Sequence, residues 1–332
     1  EIILIGDLRR LFFFGGKNRK NYRHYLNGRD INYIMSVETS NRVIDLNKNR
    51  GFALKRLALW LKVRIGEIIS RRLSCLAAGI LGAMVLGEKK SVPVFLYNSM
   101  IKSGTVHILV VSGFHVGLIT YIILLFLKLI RIPRSMRFYI ATFLLIIYCL
   151  MTGASTPAIR ATLMAVIFMF AYFARREPDI YNSIAQAAIF ILVFNTNQLF
   201  EIGFQLSFVS VISIIYLYPK IKSFLCPKAI PIKALRYMVD GCLVSFSAWL
   251  GTAGFIAYHF RMISPVAVLA NIFIVPLASL ITLCGFSLIA MELLFPQIGG
   301  FFAYSCEFIA MLLVVVNSLL IKIPGAYLNL AR

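Results

Sequence analysis

Two histidines, a serine and a glycine crowd into one otherwise apolar run, His107-Ile-Leu-Val-Val-Ser112-Gly113-Phe-His115. Ser112 and His115 stand three apart, the spacing of neighbours on a helix face. Three chemistries suit such a set. A serine beside a histidine can act as nucleophile and base, as in an intramembrane hydrolase. The same groups can line a polar constriction on a conduction path. They can also cross-link helices by hydrogen bonds. No acid in the run is placed to orient His115, and His107 and His115 lack the i, i+4 spacing and third ligand of a zinc site. No catalytic residue, metal or cofactor is therefore assigned. Gly113 reads as a point of close backbone approach or a helix break.

Further polar groups lie in apolar surroundings. In Gly153-Ala-Ser-Thr-Pro157-Ala-Ile-Arg160, Pro157 suits a helix start and Arg160 falls one turn in, with no acid nearby in sequence. Such an arginine either snorkels outward or faces a cavity, where its fork could meet a phosphate. Glu201, Gln205 and Ser207 place an acid, an amide and a hydroxyl at the start of another apolar stretch, and Glu201 is a candidate ion partner of Arg160. His259 belongs to a short loop, and Asn271 with Pro276 interrupts the stretch that follows. Broken helices of that kind often line a site.

The elements that must position these residues are membrane helices. The chain has 332 residues, of which 60% are hydrophobic and 14% charged. A soluble domain of this length has no way to bury so much apolar surface. Seven spans are expected at about 106–130, 137–152, 157–174, 183–199, 202–218, 237–258 and 264–290, and an eighth at about 298–322. The expected fold is thus an all-α polytopic membrane protein of about seven to eight transmembrane helices.

The loops 131–137, 175–182 and 219–236 hold ten basic residues, whereas 153–156, 200–201 and 259–263 hold one. The first set is expected to be cytoplasmic, which puts the N-terminal part outside. Net charge is +21, an excess suited to a polyanion such as phospholipid head groups or nucleic acid.

Ahead of the spans the chain reads as two further parts. Residues 1–50 carry strand-like stretches and a basic loop, the remnant of a small β-containing module. Residues 51–105 form a linker. Its 52–72 segment is a basic amphipathic helix suited to the head-group plane, and 73–87 is a short apolar helix, re-entrant or interfacial. Residues 106–332 form the transmembrane domain. The six cysteines show no C-x-x-C spacing and read as small apolar residues.

The polar motifs together resemble the ComEC competence family. His107-Ile-Leu-Val-Val-Ser-Gly-Phe-His-Val-Gly117 is similar to its H-L-L-x-x-S-G-L-H-x-G signature, and Pro157-Ala-Ile-Arg160 to its P-x-x-R element. Gly203-Phe-Gln-Leu-Ser-Phe208 resembles G-F-Q-L-S-F. His259-Phe-Arg-Met-Ile-Ser-Pro265 and Ala270-Asn-Ile-Phe-Ile-Val-Pro276 resemble the later F-H/S-P and A-N-x-x-x-x-P elements. Tyr22-Arg-His-Tyr-Leu26 is similar to the end of the family's external OB-like module, with Lys20 and Asn21 in place of the usual Phe and Asp.

The resemblance implies transport of single-stranded DNA across the bacterial inner membrane during natural transformation. The alternatives are a small-molecule exporter and the Ser112/His115 hydrolase. Residues carried over as channel-lining or functional are His107, Ser112, Gly113, His115, Arg160, Glu201, Gln205, Ser207, His259 and Asn271. Relative to the family, most of the OB-like module and the metallo-β-lactamase-like domain are missing, so a fragment without enzymatic activity is expected. No G-x-x-x-x-G-K-[ST] motor motif occurs. The implied partners are single-stranded DNA, membrane lipid, a cytoplasmic ATPase or helicase, an external DNA receptor and further copies of the chain.

Overall fold

The computed structural model describes residues 2–4, 7–10, 33–36, 43–45, 52–174, 179–225 and 233–330. Two compact units divide the chain, Glu1–Arg56 and Leu57–Arg332. In the first, β1 (Ile2–Leu4) pairs antiparallel with β4 (Val43–Asp45), and β2 (Asp7–Arg10) with β3 (Tyr33–Ser36). The Tyr22–Leu26 stretch lies outside the described residues.

The remainder is helical, with eleven helices among the described residues. They are α1 (Ala53–Arg72), α2 (Cys75–Leu86), α3 (Val94–Lys102), α4 (Gly113–Leu129), α5 (Arg134–Met151) and α6 (Thr156–Phe173). They continue with α7 (Ile180–Phe194), α8 (Ile202–Leu225), α9 (Lys233–Phe260), α10 (Ala267–Leu294) and α11 (Pro296–Leu320). A two-residue pairing of β5 (Met262–Ile263) with β6 (Leu328–Asn329) ties the chain's end to the α9–α10 turn. This is a multi-pass membrane protein. The helices α5, α6, α8, α9, α10 and α11 are long and apolar enough to cross a bilayer. At 17 and 15 residues, α4 and α7 are shorter than the expected spans.

Each shortening has a local cause. The apolar letters 106–112 do not extend α4. Val106–Leu109 forms a 3-10 turn, Val110 is extended, and Ser112 is the N-cap. At the end of α7, Asn195 leaves the helical region and its side chain accepts from the Asn197 backbone, opening a second 3-10 turn over Thr196–Phe200. Competing side-chain bonds of this kind end helices that hydropathy alone would prolong.

The core centres on α2, whose residues from Gly79 to Leu86 are buried among the other helices. Ile80, Leu81, Ala83, Met84 and Val85 are fully buried. A side chain at Gly285 of α10 would collide with Leu81, so the two helices meet at a glycine. Burial of each large aliphatic chain contributes about 1.5–3 kcal/mol relative to exposure. Ser74 caps α2 by accepting from the Ala77 backbone, and its own N–H donates to Glu307 of α11 at 3.2 Å. Helix α1 folds back along α2. Gly66 lies beside Leu86, and Lys62 pairs with Glu88 at 3.4 Å.

Short connections make consecutive helices antiparallel. Named contacts fix the result. Gly113 of α4 faces Ala161 of α6, and Arg160 of α6 bonds to Gly203 of α8. Lys222 of α8 pairs with Asp240 of α9, and Gly251 of α9 meets Ser213 of α8. The starts of α4, α6 and α8 therefore share one end of the bundle. Their far ends lead into the arginine- and lysine-rich loops.

Candidate functional site

The site begins at the N-cap of α4. Ser112 is extended, and Gly113 is the first helical residue. The Ser112 backbone N–H donates to His115 Nδ1 at 3.4 Å, and the Ser112 hydroxyl lies 3.1 Å from the same nitrogen. An atom that accepts a backbone N–H carries no proton of its own. The hydroxyl therefore donates to Nδ1, and in the neutral ring the proton sits on Nε2. His115 is fully buried, and its Nε2 has no hydrogen-bond partner among the described residues. A serine hydrolase would need an acceptor there to orient the ring. The pair works locally as a reciprocal helix cap.

Gly113 lets α4 approach α6. A Cβ there would stand 3.9 Å from that of Ala161. The next residue back, Arg160, is 2% exposed. The turn before α6 is shaped by Gly153 and Ala154, both in the left-handed region. Ser155 is the N-cap without a side-chain bond, and Pro157 presets the first turn. Arg160 Nη2 donates to the Gly203 carbonyl of α8 at 2.9 Å. Its Nε and Nη1 are buried and have no hydrogen-bond partner among the described residues.

The expected Arg160–Glu201 ion pair does not form. The two interact through charge at longer range, without contact. An arginine buried with most of its donors unmatched costs several kcal/mol. It sits where the first turns of three helices converge, each with unpaired backbone N–H groups and a positive dipole end. All of these features favour an anion.

The other predicted residues divide. Gln205 donates from Nε2 to the Leu199 carbonyl at 3.1 Å, bracing the 3-10 turn before α8. Ser207 is half-buried on the same helix. Glu201 is the residue that leads into α8. All three lie at or near the start of α8, around Gly203, so the α4–α6–α8 end carries Ser112, Gly113, His115, Arg160, Glu201, Gln205 and Ser207. Gly203 is the α8 residue that Arg160 touches.

His107, His259 and Asn271 belong elsewhere. The exposed His107 donates from Nδ1 to the Gly104 carbonyl at 3.1 Å. His259 bonds to the Phe255 carbonyl at 3.0 Å, and Asn271 donates to Ser245 at 2.8 Å across α9 and α10. Asn271 Oδ1 is buried without a hydrogen-bond partner among the described residues. No contact joins these three to Arg160. Among the described residues no group of three His, Cys, Asp or Glu could hold a metal ion.

Sequence reasoning missed the network that holds the 103–107 turn. Asn317 of α11 is fully buried. Its Oδ1 accepts from Ser103 at 2.6 Å and Thr105 at 3.4 Å, and its Nδ2 donates to Ser99 at 2.6 Å. Gly104 lies inside that turn at φ 74°, and a Cβ there would come within 2.7 Å of Ala267. A serine and threonine cluster over 99–105 facing an asparagine in the last span was the available signal.

Comparison with known proteins points to one family. The model of the family described as "Competence protein" matches residues 84–332. The ComE operon protein 3 of Bacillus subtilis (strain 168) is 27% identical over 259 residues, 77% of this chain and 31% of that protein. An uncharacterized protein of Aquifex aeolicus (strain VF5) is 28% identical over 225 residues, 64% of this chain and 50% of that protein. The chain thus spans between about a third and a half of the length of these relatives. No solved structure matches. The family match covers most of the chain and every helix from α3 onward, and the chain belongs to the competence protein family.

Proposed function

We propose that this chain forms the membrane passage for DNA in natural transformation, and that it carries a single strand across the bacterial inner membrane. Membership of the competence protein family supports the reading. The observation that carries it is Arg160, buried in the bundle at the convergence of three helix starts, with two nitrogens unmatched among the described residues. A phosphodiester presents the charge and the lone pairs those groups lack.

Single contacts of this type hold each phosphate weakly enough to release it, which conduction requires. An unpaired strand fits better than a duplex, because one line of phosphates then passes one cluster of donors. On this reading the N-terminal module is outside and meets the strand first. The basic loops, at the end of the helical bundle away from Arg160, lie in the cytoplasm, where a separate ATPase or helicase draws the strand in. The chain itself does no covalent chemistry. An external receptor and self-association complete the set of partners.

The test is uptake of a labelled strand by proteoliposomes. Wild-type protein protects single-stranded DNA from external nuclease, duplex of equal length stays accessible, and Arg160→Met lowers the rate of protection about 10–100-fold. Equal protection by wild type and Arg160→Met would refute the passage.

A further inference from the structure

A groove of about 380 Å³ opens where the end of α1 meets the α10–α11 turn. It is lined by the charged Arg64, Glu67, Arg71, Arg72 and Glu292 and by the apolar Ile68, Leu293 and Pro296. The charges are only partly matched. Arg72 grips Glu292 at 2.9 and 3.0 Å and donates to the Pro296 carbonyl at 3.1 Å. Arg64 pairs with Glu67 at 3.2 Å. The exposed Arg71 makes no ion pair or hydrogen bond among the described residues. The groove therefore holds a net positive charge beside two neutralised pairs.

Its surroundings select the occupant. Leu294 and Pro296 are the abutting ends of two helices long and apolar enough to cross a bilayer, so the groove lies at a membrane edge. Leu293, Leu294, Phe295, Ile298 and Phe301 are exposed immediately beside it. An arginine pocket opening onto a wall of exposed apolar side chains matches a molecule with an anionic head and acyl tails. A free anion has no use for the apolar wall. The same end of the bundle carries the basic loops, and anionic lipids are concentrated in the leaflet that such loops face.

We propose that this groove binds the phosphate head group of one anionic phospholipid, with Arg71 as the principal cation and the exposed Leu293–Phe301 surface against the acyl chains. The bound lipid would brace α1 against the α10–α11 turn. The site is separate from the Arg160 cluster and makes no demand on DNA passage.

The experiment is native mass spectrometry of the purified chain exchanged from phosphatidylcholine into mixed phosphatidylglycerol and phosphatidylcholine nanodiscs, counting retained lipids. Wild type retains one phosphatidylglycerol in preference to phosphatidylcholine. Arg71→Gln weakens that retention about fivefold, the effect of one basic side chain near a lipid surface. Glu67→Gln, which frees Arg64, strengthens it. Lys128→Gln, an exposed charge at the same end of the bundle, leaves it unchanged.

Equal loss in Arg71→Gln and Lys128→Gln would mean general charge attraction and would overturn the site. So would displacement of the lipid by millimolar inorganic phosphate, which marks a free-anion site, or by a single-stranded oligonucleotide, which marks a nucleic-acid surface.

Discussion

Arg160 and Gly203 are joined across α6 and α8 by a 2.9 Å bond from the guanidinium Nη2 to a main-chain carbonyl. That bond aims the arginine without neutralising it. A carboxylate partner would have stabilised the fold and quenched the charge. A carbonyl holds the side chain in place and leaves its charge available to a ligand.

The first prediction follows from that imbalance. Because Arg160 is buried with unmatched donors, Arg160→Met should leave the thermal midpoint unchanged or higher. DNA uptake should fall by about 10–100-fold, the worth of one charge-assisted hydrogen bond. Arg160→Lys should be intermediate, since a point charge replaces a fork. A thermal melt of each variant beside its uptake rate checks this. A steep loss of stability in Arg160→Met would mark a structural arginine instead.

Asn317 carries the opposite expectation. It satisfies Ser99, Ser103 and Thr105 together in a fully buried setting. Asn317→Leu strands those hydroxyls and should cost about 2–3 kcal/mol. Thermal unfolding in detergent measures it.

How much of this was legible in the sequence depended on the range of the interaction. Span positions could be read because apolarity is written in every residue of a membrane helix, and α5, α6, α8, α9, α10 and α11 lie within a few residues of expectation, apart from the basic extensions of α8 and α9. The apolar run 106–112 misled for the same reason, since Val and Ile in a 3-10 turn are as hydrophobic as in a helix. The Ser112–His115 pair could be read from its spacing of three, but the spacing did not say which nitrogen accepts. Arg160 was marked as costly by its surroundings. Charge makes Glu201 the candidate partner, whereas nothing in a sequence announces a carbonyl 43 residues away. The Asn317 network and the Ser74–Glu307 and Leu81–Gly285 contacts of α2 join residues more than 200 apart and left almost no local trace.

Gly104 should not tolerate a side chain. It combines φ 74° with a Cβ position 2.7 Å from the Ala267 methyl. Gly104→Ala is expected to cost about 1–3 kcal/mol from backbone strain and more from the clash. Faster amide exchange over 103–109, read by hydrogen–deuterium mass spectrometry, would report the displaced turn. Unaltered exchange would show that the turn accommodates the methyl.

Ser112 should behave as a cap. Its hydroxyl donates to His115 Nδ1, and His115 Nε2 lacks an orienting acid. Ser112→Ala should lower stability by about 1 kcal/mol and reduce uptake only modestly. A fluorophosphonate probe should leave wild-type Ser112 unlabelled. Stoichiometric labelling would establish a nucleophile and reverse the assignment.

The contact of Arg160 with a passing phosphate can be trapped directly. Gly203 is exposed, and a Cβ there lies 3.7 Å from Arg160 Nη2, so Gly203→Cys sets a thiol beside the guanidinium without a clash. In a cysteine-free background, a single strand bearing a disulfide-activated backbone should form an adduct with Cys at this position during uptake, and adding Arg160→Met should remove that adduct. Continued uptake with no adduct there, or an adduct indifferent to Arg160→Met, would contradict the account.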